Sequence, residues 1–218
     1  MSRNKLERFK LNAERRNVIE PGKEIYNTIK GKWREFLGNN NDLVLEVGCG
    51  RGEYTTGLAL LYPNRNFIGI DLKGARLWKG STVAYENGYD NVAFLRIQMQ
   101  FLEDFFEEGE ANEVWITFPD PRPKDKEEKL RLTSPNYMQI YKRLTGKNGK
   151  VNFKTDNRVL FEYTLSVVKD LNVRNLEYTF DLYNSPMLGE HYGIQTTYEK
   201  KFMAKGCKIN YLRFQFAD

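Results

Sequence analysis

The chain has 218 residues, of which 40% are hydrophobic, 14% aromatic and 29% charged, with a formal net charge of +5. This composition is typical of one globular domain with a sizeable core, and it excludes an intrinsically disordered chain. No apolar run approaches the ~20 residues that a membrane-spanning helix requires. The first residues, Met1–Lys5, lack the apolar centre of a secretion signal. We therefore expect a cytoplasmic protein without a membrane association.

Residues 1–40 are predicted to form a basic N-terminal arm followed by a capping helix. Ile25, Ile29, Trp33 and Phe36 recur at three- and four-residue steps, which is typical of one helix face. The first residues, up to about position 20, are expected to be mobile without a ligand.

Residues 41–218 are predicted to form a single α/β domain, because strands and helices alternate as they do in a doubly wound parallel sheet. Two strands that follow each other at the end of the chain predict an antiparallel hairpin at one edge, joined by a long polar loop. The predicted strands enter at Leu43 and cover Asn66–Asp71, Val92–Ile97, Glu113–Phe118, Lys150–Thr155, Leu176–Tyr183 and Cys207–Phe216, and the predicted helices cover Glu53–Leu61, Gly74–Asn87, Pro135–Leu144 and Arg158–Leu171.

The strand that enters at Leu43 leads into a glycine loop, in which Gly48, Gly50 and Gly52 stand at alternate positions directly before a helix. Glycine allows a sharp turn there and lets a ligand lie against the backbone. A strand, a glycine loop and a helix form the first unit of a doubly wound sheet, where nucleotide-type cofactors bind.

The identity of the cofactor depends on position 53. A dinucleotide fingerprint requires glycine there, and Glu53 would instead repel a pyrophosphate, so an NAD-dependent dehydrogenase is disfavoured. The pattern that begins at Glu46 resembles the first motif of methyltransferases that use S-adenosylmethionine (SAM). Asp71, at the end of the next strand, can accept hydrogen bonds from both ribose hydroxyls. The sequence therefore predicts SAM as the cofactor.

The loop after the fourth strand, Phe118–Lys124, has prolines at every second position. Alternating prolines favour a stiff, extended backbone. In a doubly wound sheet this loop faces the glycine loop across the topological switch point, so Asp120 is predicted to lie near the methyl group of the cofactor. The alternative is a stiff connector with a solvent-exposed Asp.

Three runs of basic residues, at 1–16, 142–154 and 200–213, favour a polyanionic substrate whose phosphates are neutralised by Lys and Arg. The two cysteines, Cys49 and Cys207, have neither a disulfide framework nor metal-ligand spacing, so no metal is expected. The single histidine, His191, is expected at the surface or in contact with RNA.

Several strings occur in a characteristic order along the chain, namely Phe118–Lys124, Glu128–Thr133, Phe153–Asn157, Leu160–Glu162 and Thr196–Phe202 with Gly206. Together with the glycine loop, they resemble the bacterial tRNA (guanine-N7)-methyltransferase family (TrmB) over about residues 43–216. The resemblance implies a Rossmann-like SAM-dependent methyltransferase fold, with a seven-stranded, mostly parallel sheet and an antiparallel C-terminal hairpin. It also implies methylation of guanine N7 at position 46 in the variable loop of tRNA.

The same resemblance implies a role for individual residues. Asp120 would be the active-site carboxylate. Three positions depart from the family pattern: Arg122 replaces a Trp, Gln98 an Asp and Thr197 a Glu. SAM would be held by Glu46, Gly48, Gly50, Asp71 and Gln98, and the tRNA guanosine by Lys124, Asp156, Thr196, Thr197, Tyr198 and Glu199.

Guanine N7 has a free lone pair, so its attack on a sulfonium methyl requires no base. Asp120 is then predicted to orient the guanine by accepting from N1–H and the N2 amine, with Asp156 able to share that edge and Lys124 contacting a phosphate.

Two alternatives stay open. An amino-group methyltransferase usually has Asp or Asn, two prolines and an aromatic residue after the fourth strand, and here that aromatic is absent. A non-catalytic RNA-binding protein that retains the fold would be distinguished by a lack of SAM binding. Both a monomer and a homodimer are compatible with the sequence.

Overall fold

The protein was examined as a computed structural model that describes residues 3–217. Its centre is one eight-stranded sheet. Among the described residues, no helix is long and apolar enough to cross a membrane. The strands are β1 (Val18–Ile19), β2 (Asp42–Val47), β3 (Arg65–Ile70), β4 (Val92–Leu95), β5 (Glu113–Thr117), β6 (Lys150–Thr155), β7 (Val173–Thr179) and β8 (Asn210–Phe216). The α-helices are α1 (Arg3–Glu14), α2 (Trp33–Leu37), α3 (Glu53–Leu61), α4 (Gly74–Glu86), α5 (Pro135–Thr145), α6 (Arg158–Lys169) and α7 (Thr197–Met203).

The strand order is β1-β4-β3-β2-β5-β6-β8-β7. All neighbouring pairs are parallel except those of β8, which is antiparallel to both β6 and β7. This confirms the predicted α/β sheet with an antiparallel C-terminal pair. The predicted number of seven strands was one too low, because the two residues of β1 are too few to show a periodic pattern; β1 pairs with β4 at the edge.

The core lies on both faces of the sheet. Along β2, Leu43, Leu45 and Val47 belong to one buried cluster and Val44 to the other. A parallel strand that is covered by helices on both sides is apolar at every position rather than at alternate ones. The near-continuous apolar run in the sequence of β2 is therefore explained by the burial of this strand on both faces of the sheet.

The N-terminal segment is packed on the domain, in contrast to the expected mobility. Helix α1 lies on α4, and the Asn12 side chain donates to the carbonyl of Gly74 at 2.8 Å. The Lys23 ammonium closes the end of this segment by donating to the carbonyls of Asn12, Arg15 and Val18 at 2.8, 2.6 and 2.6 Å. Cations stabilise the C-terminal end of a helix, where carbonyls lack partners.

The predicted capping helix is divided into a 3₁₀ helix, Glu24–Asn27, and α2. Gly31 lies between them with φ 74°, and a Cβ there would come within 2.6 Å of the Glu107 carboxyl carbon. Ile29 and Trp33 are nevertheless buried in the core, as a capping role requires.

The connection between β7 and β8 was predicted as a polar loop, but it contains α7 and two 3₁₀ segments. Helix α7 begins after Thr196, whose hydroxyl accepts a hydrogen bond from the Glu199 amide at 3.1 Å. Thr-x-x-Glu is the pattern of a capping box, so a local signal for this helix is present in the sequence.

Candidate active site

A cavity of about 730 Å³ opens at the carboxyl ends of the central strands. Strands β2 and β5 are neighbours, so the loop that follows each of them borders the same crevice, as predicted for the topological switch point. Predicted site residues that line the cavity are Gly48, Gly50, Asp71, Gln98, Asp120, Asp156, Thr196 and Tyr198.

The glycine loop leaves β2 in a backbone conformation that favours glycine. Gly48, Gly50 and Gly52 have φ values of 78°, 58° and 68°. A Cβ on Gly52 would also overlap the ring of Phe94. Both the left-handed conformation and the lack of space therefore require glycine at this position.

Asp71 ends the strand next to the loop and is held by backbone amides. Its Oδ2 accepts from the Gly50 amide at 3.0 Å, and its Oδ1 accepts from the Lys73 amide at 2.8 Å. Each carboxylate oxygen can accept a second hydrogen bond. Since Asp71 lines the cavity, it can bind a diol while these amides fix its orientation.

The structure places Glu46, predicted as a cofactor ligand, among buried hydrogen-bond partners. It is 3% exposed and does not line the cavity. Its Oε2 accepts from both the amide and the hydroxyl of Thr55 in α3, and its Oε1 accepts from the Thr117 hydroxyl at 2.6 Å. Glu46 thus joins the helix after the glycine loop to the end of β5. Burial raises the pKa of Glu46 to about 7.

Replacing Glu46 with Gln is expected to remove a pH-dependent part of the stability. A glutamate in the unfolded chain titrates near 4.5, whereas Glu46 titrates at about 7 in the fold. The fold therefore favours the protonated side chain, and this contribution is complete below the unfolded pKa and lost as the pH rises through the folded pKa. The free energy of unfolding can be measured by denaturation at a series of pH values. As the pH increases, that of Glu46→Gln should rise relative to that of the wild type by up to roughly 3 kcal/mol.

The same variant separates positioning from cofactor binding. Gln can reproduce the hydrogen bonds of the protonated carboxyl group, so Glu46→Gln should keep its affinity for SAM in mildly acidic buffer. Parallel stability profiles in the two proteins, or a large loss of cofactor affinity, would contradict the assigned role.

The loop Phe118–Lys124 is less extended than its prolines predict. Phe118 and Arg122 each precede a proline and have φ values of 48° and 46°. Left-handed non-glycine residues are strained, and such strain is concentrated at functional sites. The strained turns are held by hydrogen bonds: the Phe118 amide donates to the Lys154 carbonyl at 2.8 Å, and Arg131 Nε donates to the Arg122 carbonyl at 3.1 Å.

Asp120 lies on this loop with its side chain 67% exposed at the cavity. Its carboxylate is 3.4 Å from Arg122 Nε, and the Arg122 guanidinium is also 3.5 Å from the Glu127 carboxylate. An exposed ion pair of this kind is weak and can be exchanged for a ligand. Asp120 is therefore accessible to a polar ligand edge.

The cavity lining also contains an acid, Asp156, and an aromatic row. Asp156 follows β6 directly, and burial raises its pKa above the ordinary value. The rings of Phe118, Phe202 and Tyr198 follow each other at 6.3 and 6.4 Å, with interplanar angles of 25° and 22°. Tyr198 ends the row and is 44% exposed, so one ring face is available for stacking.

Three residues predicted to hold substrate lie outside the cavity lining, namely Lys124, Thr197 and Glu199. Lys124 is exposed to solvent. Thr197 forms hydrogen bonds with a side chain of the same chain. Its amide donates to Glu53 Oε2 at 2.8 Å, and its hydroxyl donates to Glu53 Oε1. These two hydrogen bonds hold α7 against the first turn of α3.

Glu199, predicted to hold the tRNA guanosine, is the buried partner of Lys154 in the structure. The two side chains are 0% exposed, with Lys154 Nζ 2.8 Å from Glu199 Oε1 and 3.0 Å from Oε2. The Tyr183 hydroxyl donates to Glu199 at 3.2 Å and is 2.7 Å from His191 Nε2. His191 is 7% exposed, so it is not at the surface.

Within residues 3–217, no cluster of His, Cys, Asp and Glu side chains is suited to hold a metal ion. The glycine loop, the amide-held Asp71 and the neighbouring Gln98 instead fit an uncharged ribose and an adenine ring, which require hydrogen-bond acceptors and close backbone approach.

The sheet topology, with this cavity at the β2–β5 switch point, defines the class of Rossmann-like SAM-dependent methyltransferases. The fold is similar to the crystal structure of the 16S rRNA methyltransferase KamB, with a TM-score of 0.65 and 14% identity over 86% of this chain and 94% of that one.

More specific matches come from the sequence. The Methyltransf_4 family of methyltransferases matches residues 40–212. The chain is 57% identical to a tRNA (guanine-N(7)-)-methyltransferase of Cytophaga hutchinsonii over 99% of both chains. It is 44% identical to that of Christiangramia forsetii over 98% of both. The chain belongs to the tRNA (guanine-N7)-methyltransferase family, as its motifs predicted.

Proposed function

We propose that this protein transfers the methyl group of SAM to N7 of guanine 46 in the variable loop of tRNA. The observation that carries the proposal is the shared cavity, which the glycine loop, Asp71 and Asp120 all line. Its volume of about 730 Å³ is in the range of small-molecule sites.

The cofactor would be held by the residues between β2 and β4. The backbone of Gly48 and Gly50 allows it to approach, Asp71 accepts from the ribose hydroxyls, and the Gln98 amide can accept from the adenine amine. Glu46 supports this site from outside the cavity lining, since its hydrogen bonds join α3 to β5.

When bound, SAM would supply a sulfonium methyl group open to attack by the N7 lone pair, with the sulfur leaving with the electron pair of the C–S bond. The task of the protein is to align the base and to provide a favourable field. Asp120 accepts from guanine N1–H and the N2 amine, and its negative charge stabilises the positive charge that develops on the ring.

The guanosine pocket would be completed by the wall that α7 and β6 form. Asp156 and Thr196 offer polar atoms, and the exposed face of Tyr198 can stack on a base. In a folded tRNA the variable-loop guanine is stacked, so the enzyme has to draw it out before N7 can reach the methyl group. The cytoplasmic location stays a prediction, and both a monomer and a homodimer stay possible.

The direct test is incubation with methyl-labelled SAM and unmodified tRNA transcript, followed by cleavage specific for 7-methylguanosine. We expect a single labelled site in the variable loop. A transcript with adenosine at that position should stay unlabelled. Label in the control transcript, or on an exocyclic amine, would contradict the proposal.

A further inference from the structure

The rim of the cavity, as defined here, carries three exposed cations, Arg51, Lys73 and Arg76, without a side-chain partner in the described part of the chain. Arg51 follows Gly50 in the glycine loop, and Lys73 and Arg76 lie where α4 begins. All three line the cavity. Among residues 3–217, none of these side chains forms a hydrogen bond or an ion pair.

Some cations of the basic runs predicted from the sequence have partners elsewhere in the protein. The Arg15 guanidinium donates to the Ser81 hydroxyl at 3.0 Å, and Arg143 pairs with Glu103 at 2.5 Å. Lys154 is buried with Glu199, as described above. Arg51 comes instead from the glycine loop, and Lys73 and Arg76 come from the start of α4; neither segment stands out as a basic stretch in the sequence.

The acids near these cations are already engaged. Asp71 is 9% exposed and accepts from two backbone amides. Glu53 accepts from Thr197. Neither acid pairs with Arg51, Lys73 or Arg76, so these side chains stay available to a ligand, and an exposed unpaired cation next to a cleft attracts an anion.

The cofactor alone does not account for three cations. SAM carries a sulfonium, an ammonium and a carboxylate, so its net charge is positive. Its single carboxylate can pair with at most part of the rim, and the other cations would repel it. A polyanion that enters the cleft beside the cofactor removes this repulsion.

We propose that Arg51, Lys73 and Arg76 bind backbone phosphates of the tRNA nucleotides next to the methylated guanosine. This inference rests on the proposed function. These three residues follow the carboxyl ends of the neighbouring strands β2 and β3, and they line the same cavity as Asp120. Phosphates held there position the RNA without reading its sequence.

The test measures the salt dependence of tRNA binding by fluorescence anisotropy, for the wild type and for the variant Arg51→Gln, Lys73→Gln, Arg76→Gln. Each lost phosphate contact lowers the slope of log affinity against log salt by about 0.7 to 0.9. We expect the magnitude of this slope to be smaller by roughly 2 to 3 in the triple variant than in the wild type. Each single variant should show about one third of that decrease.

Lys169→Gln is the matched control. Lys169 is also exposed, but it lies at the end of α6, which returns to the amino edge of the sheet. The salt dependence of tRNA binding by Lys169→Gln should therefore have the same slope as that of the wild type. Calorimetry with SAM should show at most a few-fold loss of cofactor affinity in the triple variant, because the single carboxylate of SAM can pair with only part of the rim. An unchanged slope of tRNA binding in the triple variant overturns the inference, and so does a fall in slope that the Lys169→Gln control shows equally.

The two proposals fail in different ways. If the wild type methylates N7 and the slope of the triple variant is unchanged, only the rim assignment is wrong. If the slope falls as expected but the wild type leaves tRNA unlabelled, the rim binds RNA and the proposed reaction is wrong.

Discussion

Asp120→Asn is expected to lower the turnover number for methyl transfer by roughly 10² to 10³-fold, as when one preorganised transition-state contact is removed. The amide is of the same size, but it has one acceptor oxygen in place of two and no charge. It can no longer accept from both N1–H and the N2 amine of guanine, nor stabilise the positive ring. Single-turnover kinetics with saturating SAM and tRNA measures the chemical step directly.

The variant should bind SAM as the wild type does, because Asp120 follows β5, whereas the residues proposed to hold SAM follow β2, β3 and β4. Asp125→Asn is the matched control, since Asp125 is an exposed acid five residues further along the same segment and outside the cavity lining. Turnover within a few-fold of the wild type in Asp120→Asn would show that the carboxylate does not take part in the reaction.

The second large effect is expected from the buried pair of Lys154 and Glu199. Lys154 lies in β6, and Glu199 lies in α7 between residues that line the cavity. Removing one partner leaves a buried charge without compensation, which typically costs about 3–5 kcal/mol. Lys154→Met and Glu199→Met should therefore both lower the melting temperature and raise the KM for tRNA, because the wall with Thr196 and Tyr198 is displaced.

The double variant Lys154→Met, Glu199→Met distinguishes a positioning role from substrate contact. Two apolar side chains of similar volume can replace a buried ion pair with little loss of stability. We expect the double variant to recover most of the melting temperature and most of the affinity for tRNA. If stability returns while tRNA binding stays as weak as in Glu199→Met, then Glu199 contacts the substrate, as the family motif implied.

The site elements that could be predicted are those encoded in contiguous residues. A strand, a glycine loop and a helix form a local unit, and the spacing to Asp71 places a carboxylate at the next strand end. The alternation of strands and helices implies a parallel sheet, whose carboxyl ends meet at one edge. Asp120 could therefore be assigned to the cavity from its position after the fourth strand.

The roles of Glu46 and Glu199 could not be predicted, because membership of a motif does not say what a side chain touches. The partner of Glu46 in β5, Thr117, is 71 residues away along the chain, and that of Glu199, Lys154, is 45 residues away. One signal was available: a lysine inside a central strand requires a buried partner. The sequence does not identify that partner.

The sequence by itself determined the class of fold, the cofactor loop and the acid opposite it, because periodicity, glycine content and proline placement act over a few residues. The tertiary structure alone decided which charged groups are buried in pairs and which stay free at the cleft. That division depends on solvent access and on distances between residues far apart in the chain, and local composition does not specify either of them.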